Sequence, residues 1–276
     1  MVKYCNAACK KKHRQKHKKA CERRVAELHD EKLFKQLPPN EDCPICFLRL
    51  PTLEWGQTYM VCCSKIICSG CVHAPVYDDK GNEIDNQRCP FCRTPPPFSD
   101  EEMIKRYKKR MELNDVQAIY NFGGFHYSGN TGFPQNYSKA IKFWHRAGEL
   151  GSAEAYYGIG ILYDRGIGVE VDMIKAQHYF EIAAKRGNVY ARLNLGAYEM
   201  RRGNMGRALK HWMIAVRDGE YKSLQNIKSH YLDGHATKED YEKALRSYQA
   251  YLDEIKSEQR EAAAVHNDTK YYESAS

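Results

Sequence analysis

One short frame occurs four times between residues 115 and 252, and it constrains the fold more than any other feature of the chain. A basic residue followed by alanine recurs as Lys139-Ala140, Lys175-Ala176, Arg207-Ala208 and Lys243-Ala244, at spacings of 36, 32 and 36 residues. Four residues before each alanine stands a helix-capping type: Asn136, Asp172, Asn204 and Asp240. Such side chains accept from the backbone N–H groups that open a helix. Four residues after each alanine stands a large aromatic: Trp144, Phe180, Trp212 and Tyr248. Gly151, Gly187 and Gly219 follow in the first three copies, in the place of a helix C-terminal glycine. An earlier helix in each copy is marked by Ala118-x3-Phe122-Gly123, Ala155-x3-Ile159-Gly160, Ala191-x3-Leu195-Gly196 and Ser223-x3-Ile227-Lys228. A unit of this size cannot bury its apolar face alone, so it stacks on its neighbours. The pattern predicts four helical hairpins, 115–152, 153–188, 189–220 and 221–252, in an α-solenoid. Small residues are expected to let paired helices approach, with the aromatics filling the space between pairs. The fourth unit has lost both glycines, as expected of an end repeat that nothing follows.

This pattern resembles Sel1-like repeats, helical hairpins related to tetratricopeptide repeats. The match is fullest in the second unit, with Gly158, Tyr163, Gly166, Gly168, Asp172, Lys175 and Ala176. The resemblance implies a curved surface that binds a protein ligand. At these spacings the aromatics read as core rather than as a ligand box. His126, His145, His178, His211, His230 and His235 show no metal spacing with one another and read as surface or packing residues. Neither a nucleophile constellation nor a phosphate loop stands out.

Upstream, eight of the eleven cysteines fall between Cys43 and Cys92. They read Cys43-Pro-Ile-Cys46, Cys62-Cys63, Cys68-x-x-Cys71 and Cys89-Pro-Phe-Cys92-Arg93. Each Cys-x-x-Cys pair puts two thiolates on one tight turn, able to face one tetrahedral ion. Three such pairs and a doublet predict structural zinc rather than disulfides or inert thiols. About fifty residues bury too little apolar area to fold alone, so metal binding would supply the folding energy.

The order of pairs resembles a RING finger, which interleaves two zinc ions. By that pattern Cys43, Cys46, Cys68 and Cys71 hold the first, and Cys89 and Cys92 join two ligands of the middle cluster, Cys62 and Cys63, at the second. Lys65 stands where the family has a histidine ligand, and a protonated lysine has no lone pair to give. The second site is therefore four cysteines, or three cysteines and water. Adjacent cysteines point oppositely in an extended chain, so chelation by both Cys62 and Cys63 requires a local bend. The resemblance also implies contacts to a ubiquitin-conjugating enzyme: Ile45 and Pro90 match its contact positions, and Arg93 matches the basic linchpin that bonds enzyme and ubiquitin together. The implied mechanism is positioning of a ubiquitin thioester, with no nucleophile from the module itself. Pro75 replaces an aromatic usual in the family.

Residues 1–24 hold ten Lys and Arg against one Glu, whereas the whole chain sums to +8. Tyr4-Cys5-x3-Cys9-x7-His17-x3-Cys21 places soft ligands at helical spacing, and it resembles the second half of a MYND zinc finger. Cys5, Cys9, His17 and Cys21 then belong to a truncated finger, close one improvised further zinc site, or lie on a metal-free basic helix. The MYND resemblance implies binding of proline-containing peptides; the charge alone suggests nucleic acid or nuclear import, or a solvated lysine face.

The fold class expected is mostly α, with small zinc-stabilised α/β modules before the solenoid. The order is a partial MYND-like segment (1–24), a helix and linker (25–42) with the helix running from Val25 towards Leu37, the RING-type module (43–93), a Pro-rich linker and lead-in helix (94–114) capped by Ser99 with Glu102, four repeats (115–252), and a helical extension to about Ala264 before a disordered tail (253–276). No run approaches the roughly 18 apolar residues that cross a bilayer, and no signal peptide is visible. A reducing compartment, cytoplasmic or nuclear, is expected. The reading is a RING protein that acts as a ubiquitin ligase or ligase adaptor. It recruits a ubiquitin-conjugating enzyme through the zinc module and an unidentified protein through the repeats. The rivals are a non-catalytic scaffold and a nucleic-acid-associated protein.

Overall fold

The computed structural model describes residues 14–38, 41–52, 56–77, 80–84, 88–130 and 132–266. The chain divides into two units, Met1–Gln36 and Leu37–Ser276. In the first, α1 runs Arg14–Leu33 without interruption, so the part of the basic segment from Arg14 to Arg24 and the residues after it share one helix. It ends short of Leu37. A residue before proline is held out of helical φ/ψ, and the helix frays back from that point. Exposed Arg24 pairs with Glu27 and Glu31 along α1.

The second unit opens with the cysteine module. Strand β1 (Gln57–Met60) pairs antiparallel with β2 (Lys65–Cys68), Gln57 opposite Cys68 and Met60 opposite Lys65. The short α2 (Ser69–Val72) follows directly. A second small ribbon pairs β3 (Val76–Tyr77) with β4 (Glu83–Ile84). The module's core is Cys43, Leu50, Ile67, Cys68 and Cys71, so the apolar centre and one set of cysteines are the same place.

Helix α3 (Asp100–Glu112) starts at Ser99, whose hydroxyl accepts from Glu102 N–H at 3.2 Å. The capping box expected there is only half made. The Glu102 carboxylate accepts from Phe98 N–H at 3.0 Å instead of Ser99 N–H, and its other oxygen is taken by Arg106.

Four hairpins follow: α4 (Val116–Ser128) with α5 (Tyr137–Glu149), α6 (Ala153–Arg165) with α7 (Met173–Lys185), α8 (Val189–Arg201) with α9 (Met205–Arg217), and α10 (Tyr221–Leu232) with α11 (Lys238–Ile255). Ala118, Ala155, Ala191 and Ser223 on the first helices, and Ala140, Ala176, Ala208 and Ala244 on the second, are fully buried. A larger side chain at any of them would push two helices apart. The aromatics pack first inside their own hairpin. A Cβ on Gly123 would lie 2.5 Å from Trp144, one on Gly160 2.6 Å from Phe180, and one on Gly196 2.2 Å from Trp212. Each glycine is thus the socket of the aromatic on its partner helix. Trp144 also abuts Gly158 of the next hairpin, so the expected filling between pairs holds there as a second contact. Lys228 replaces the glycine in the fourth hairpin, and Tyr248 there is only half-buried.

Two caps differ from expectation. Asn204 opens α9 without a side-chain cap bond, because its amide donates to buried Glu199 at 2.8 Å. Helix α11 begins at Thr237, and Asp240 is the third residue of a capping box that binds Thr237 N–H at 3.1 Å. Something also follows the fourth hairpin. Lys256 adopts an extended conformation (φ −69°, ψ 134°) that breaks the expected continuous run, and α12 (Glu258–His266) packs back towards α2. The expected disordered stretch 267–276 lies outside the described residues. Among the described residues no helix is long and apolar enough to cross a membrane.

Candidate functional site

Three turns of one design build the cysteine module. In the first, Phe47 N–H bonds to Cys43 O and Cys43 N–H to Leu48 O, both at 2.9 Å. In the last, Arg93 N–H bonds to Cys89 O and Cys89 N–H to Thr94 O, again at 2.9 Å. The middle turn repeats the scheme with Met60 in the place of the first cysteine: Ser64 N–H bonds to Met60 O at 2.8 Å. The residue after the second cysteine is left-handed in all three, with φ of 57° at Phe47, 62° at Ser64 and 61° at Arg93. That conformation costs a side-chain-bearing residue about 1–2 kcal/mol, so the surrounding bonds must impose it. Cys63 is therefore the counterpart of Cys46 and Cys92. Cys62, in the bend, supplies the extra sulfur.

The turns gather the cysteines into two quartets. Cys43, Cys46, Cys68 and Cys71 form one, and Cys62, Cys63, Cys89 and Cys92 the other. Within each, all four sulfurs lie within 4.8 Å of one another, and either set could hold a metal ion. The quartets alternate along the chain: first and third groups together, second and fourth together. No disulfide joins the described cysteines. A tetrahedral ion with sulfur at about 2.3 Å spaces its ligands roughly 3.8 Å apart. Cys46 and Cys68 are 3.8 Å apart, Cys63 and Cys89 3.8 Å, and Cys62 and Cys92 3.4 Å.

The electrostatics of both quartets favour a cation. Burial pushes the Cys43 thiol up, but amide N–H groups of Cys46, Cys68 and Ile45 aimed at its sulfur bring it down to about 7. Burial likewise opposes ionisation of Cys92, yet the Thr94 hydroxyl and amide hold that thiol at about 6. The neighbours go the other way. Burial, with the charge of Cys89 and Cys92, raises Cys63 to about 11, and burial followed by the charge of Cys68 raises Cys71 further. Each quartet thus sets one lowered thiol, Cys43 or Cys92, beside one raised by burial and its neighbours' charge, Cys71 or Cys63, an opposition that a bound cation would relieve.

Lys65, in the position where a histidine ligand was expected, begins β2 and lies over the Phe91 ring at 5.7 Å. Ile45 is half-buried against the module's core. Pro90 is half-buried on the wall of a cleft of about 810 Å³, between the second quartet, Pro75 and the Pro95–Pro97 stretch. Arg93 is exposed on its left-handed turn. In the first unit, Cys21 is half-buried on α1 and His17 lies on the same helix. Cys5 and Cys9 are outside the described residues, as is the side chain of His17.

Contacts outside the cysteine pattern tie the module to the repeats at two points. At the first hairpin, Tyr59 donates to Asp115 at 2.7 Å and Ser64 donates to the same carboxylate, which also caps α4 at Ala118 N–H. Arg110 of α3 donates to the carbonyls of Val61 (2.9 Å) and Cys62, and Arg106 to Pro95 O. The proline stretch is therefore bonded in place rather than a free spacer. At the last hairpin, Thr52 N–H bonds to the Tyr251 hydroxyl at 3.0 Å, and Arg49 lies over the Tyr251 ring, pairing with Glu254 there and with Asp218 at the end of α9. Between these points a hollow of about 1180 Å³ is walled by Thr58 and Ile66 on one side and Tyr120 and Tyr157 on the other. Part of the curved repeat surface thus faces the module instead of solvent. Sequence reasoning missed Asp115, Arg110 and Arg260. Asp115 carried a readable helix-cap signal; the two arginines carried none.

Residues 116–152, 153–188 and 229–249 match the Sel1 repeat family model. The chain thus carries Sel1 repeats in an α-solenoid. Residues 189–220, the expected third repeat, lie outside the matched segments, although α8 and α9 form a hairpin of the same build there. The chain is 26% identical over 113 residues to the ERAD-associated E3 ubiquitin-protein ligase component HRD3B of Arabidopsis thaliana, covering 41% of this chain and 18% of that protein. It is 40% identical over 80 residues to the E3 ubiquitin-protein ligase DA2 of the same organism, covering 29% of this chain and 18% of that protein. The chain thus spans less than a fifth of these relatives' lengths. Among solved structures it is similar to a Sel1 repeat protein from Oxalobacter formigenes, with 31% identity and a TM-score of 0.49 over 56% of this chain and 64% of that one.

Proposed function

We propose that the cysteine module is a zinc-bound RING that recruits a ubiquitin-conjugating enzyme, and that the Sel1 repeats hold a protein partner beside it. The observation that carries this is the alternation of the two quartets along the chain: Cys43, Cys46, Cys68 and Cys71 lie together and would bind one zinc ion, and Cys62, Cys63, Cys89 and Cys92 lie together and would bind the other. The donor set fits zinc, which is soft enough for four thiolates and takes them tetrahedrally. Zinc would supply no reaction step, only the folding energy of the turns. Ile45 and Pro90 would meet the conjugating enzyme, and Arg93 would bond it and ubiquitin together through a planar guanidinium. Catalysis would be positional: the thioester is held for attack by the acceptor's own amine. Relatives named as ubiquitin ligases or ligase components support the pathway.

Autoubiquitination with a panel of conjugating enzymes tests the reading. The full chain should form conjugates with at least one of them, and Ile45→Ala should lose most of that activity with its zinc content intact. Silence across the whole panel sinks the ligase assignment. A scaffold reading has one observation in its favour: the module is bonded into both ends of the repeat array, as a structural brace would be. Native mass spectrometry should count two zinc ions, and three would assign a further site to Cys5, Cys9, His17 and Cys21.

A further inference from the structure

Arg260 lies on α12, outside both the cysteine block and the repeats, and is only 4% exposed. Its guanidinium reaches into the turn that carries the first two cysteines. One terminal nitrogen donates to Ile255 O and Arg49 O, both at 2.8 Å. The other donates to Leu48 O at 3.3 Å and lies 3.9 Å from the sulfur of Cys46. Arg260 Nε is buried with no hydrogen-bond partner. Three carbonyls satisfy donors but bring no negative charge. Among the described residues, no carboxylate lies within ion-pair distance of this arginine, so the charged groups available to balance it are the cysteine sulfurs.

The same helix abuts the other half of the quartet. A Cβ on Gly70 would fall 2.9 Å from the backbone nitrogen of Arg260 and 3.0 Å from Gln259. Gly70 sits between Cys68 and Cys71. Hence α12 touches the 43–48 turn through a side chain and the 68–71 turn through its backbone.

We propose that Arg260 belongs to the first metal site as the donor to its ligand sulfurs, and that metal binding there is what latches α12 onto the module. Four thiolates around a divalent ion carry a net charge of −2. That charge offsets the buried guanidinium, and the guanidinium in turn stabilises the anionic cluster. Without the ion no metal-held anionic cluster faces Arg260, and the burial of its guanidinium is no longer offset. Helix α12 then leaves the module. The coupling is reciprocal: whatever factor α12 adds to metal affinity, the metal adds to the docking of α12. This inference rests on the zinc reading above.

The test uses the full chain loaded with two equivalents of zinc. Competition against a chromogenic chelator gives the two affinities, and alkylation of the cysteines exposed at each step assigns them to a quartet. Arg260→Leu should weaken the first site about 10–100-fold, the range for loss of a partner to a metal ligand, and leave the second unchanged. Arg260→Lys, which keeps the charge but not the fork, should fall between. Wild-type hydrogen exchange needs no variant: stripping the first ion should speed exchange of α12 amides by the same factor while α6 and α7 stay protected. Unchanged affinity in Arg260→Leu, equal weakening of both sites, or α12 protection that ignores metal would each overturn the coupling. A chain that binds no zinc under any condition would instead refute the zinc reading itself.

Discussion

Gly123 and Gly124 are neighbours on α4, and alanine should act on them in opposite directions. In a helix interior, replacing glycine by alanine gains about 1 kcal/mol of propensity at either place. A Cβ on Gly124 meets nothing within 4 Å, so Gly124→Ala should keep that gain. A Cβ on Gly123 would stand 2.5 Å from Cδ1 and 2.6 Å from Nε1 of Trp144, and 3.2 Å from Phe143. Trp144 is buried, and its Nε1 donates to Tyr120 O at 3.1 Å. Making room costs about 1–3 kcal/mol of overpacking and about 1 kcal/mol for the strained hydrogen bond. Set against the propensity gain, Gly123→Ala should destabilise by about 1–3 kcal/mol. The two variants should therefore differ by about 2–4 kcal/mol, or about 4–16 °C in Tm for a unit of this size. Thermal melts followed by circular dichroism and tryptophan fluorescence, with zinc present throughout, measure it. Equal shifts, or a larger loss at Gly124, would refute the idea that the glycine is a socket for its partner aromatic.

Two further outcomes follow from particular side chains. Asp115 caps α4 and accepts from Tyr59; Asp115→Ala should cost about 1 kcal/mol for the cap and about 1.5–3 kcal/mol for the charged hydrogen bond. Asp115→Asn keeps the cap and should cost about 1 kcal/mol; urea midpoints that place the two variants together would contradict the double role. His126 is buried among Phe122, Phe133 and Phe143, and burial, then the charge of Lys139, holds its pKa below the usual 6.5. The unfolded chain therefore binds this proton more readily than the folded one. The contribution is fully present above about pH 6.5 and is lost as pH falls through the folded value. Between pH 7.5 and 5.5, wild type should lose more Tm than His126→Leu, and parallel slopes would count against this account.

The repeats were legible because their signal is local and multiplied. A capping side chain, an alanine and an aromatic at fixed offsets describe one hairpin, and three or four copies leave little room for another fold. Where the frame misled, a nearer partner took the group: Glu199 took the Asn204 amide, and Thr237 moved the start of α11 by a turn. The cysteine turns were legible as pairs. The middle one was not, because Met60 stands where its first cysteine would be, and only the backbone bonds reveal the shared design. Arg260 had no sequence signal at all. An arginine in a polar helix reads as solvated, and its burial depends on a chain reversal at Lys256 and on contacts to residues more than 200 positions away.

Arrays of stacked hairpins ordinarily gain or lose a unit without penalty, since each one touches only its neighbours. This one has its length set from outside. Tyr59 and Ser64 hold Asp115 at the first hairpin and Thr52 holds Tyr251 at the last, so one module grips both ends of the array. Excising one hairpin, or splicing in a fifth, would leave one grip without its counterpart. The number of hairpins here is therefore a property of the cysteine module as much as of the repeats.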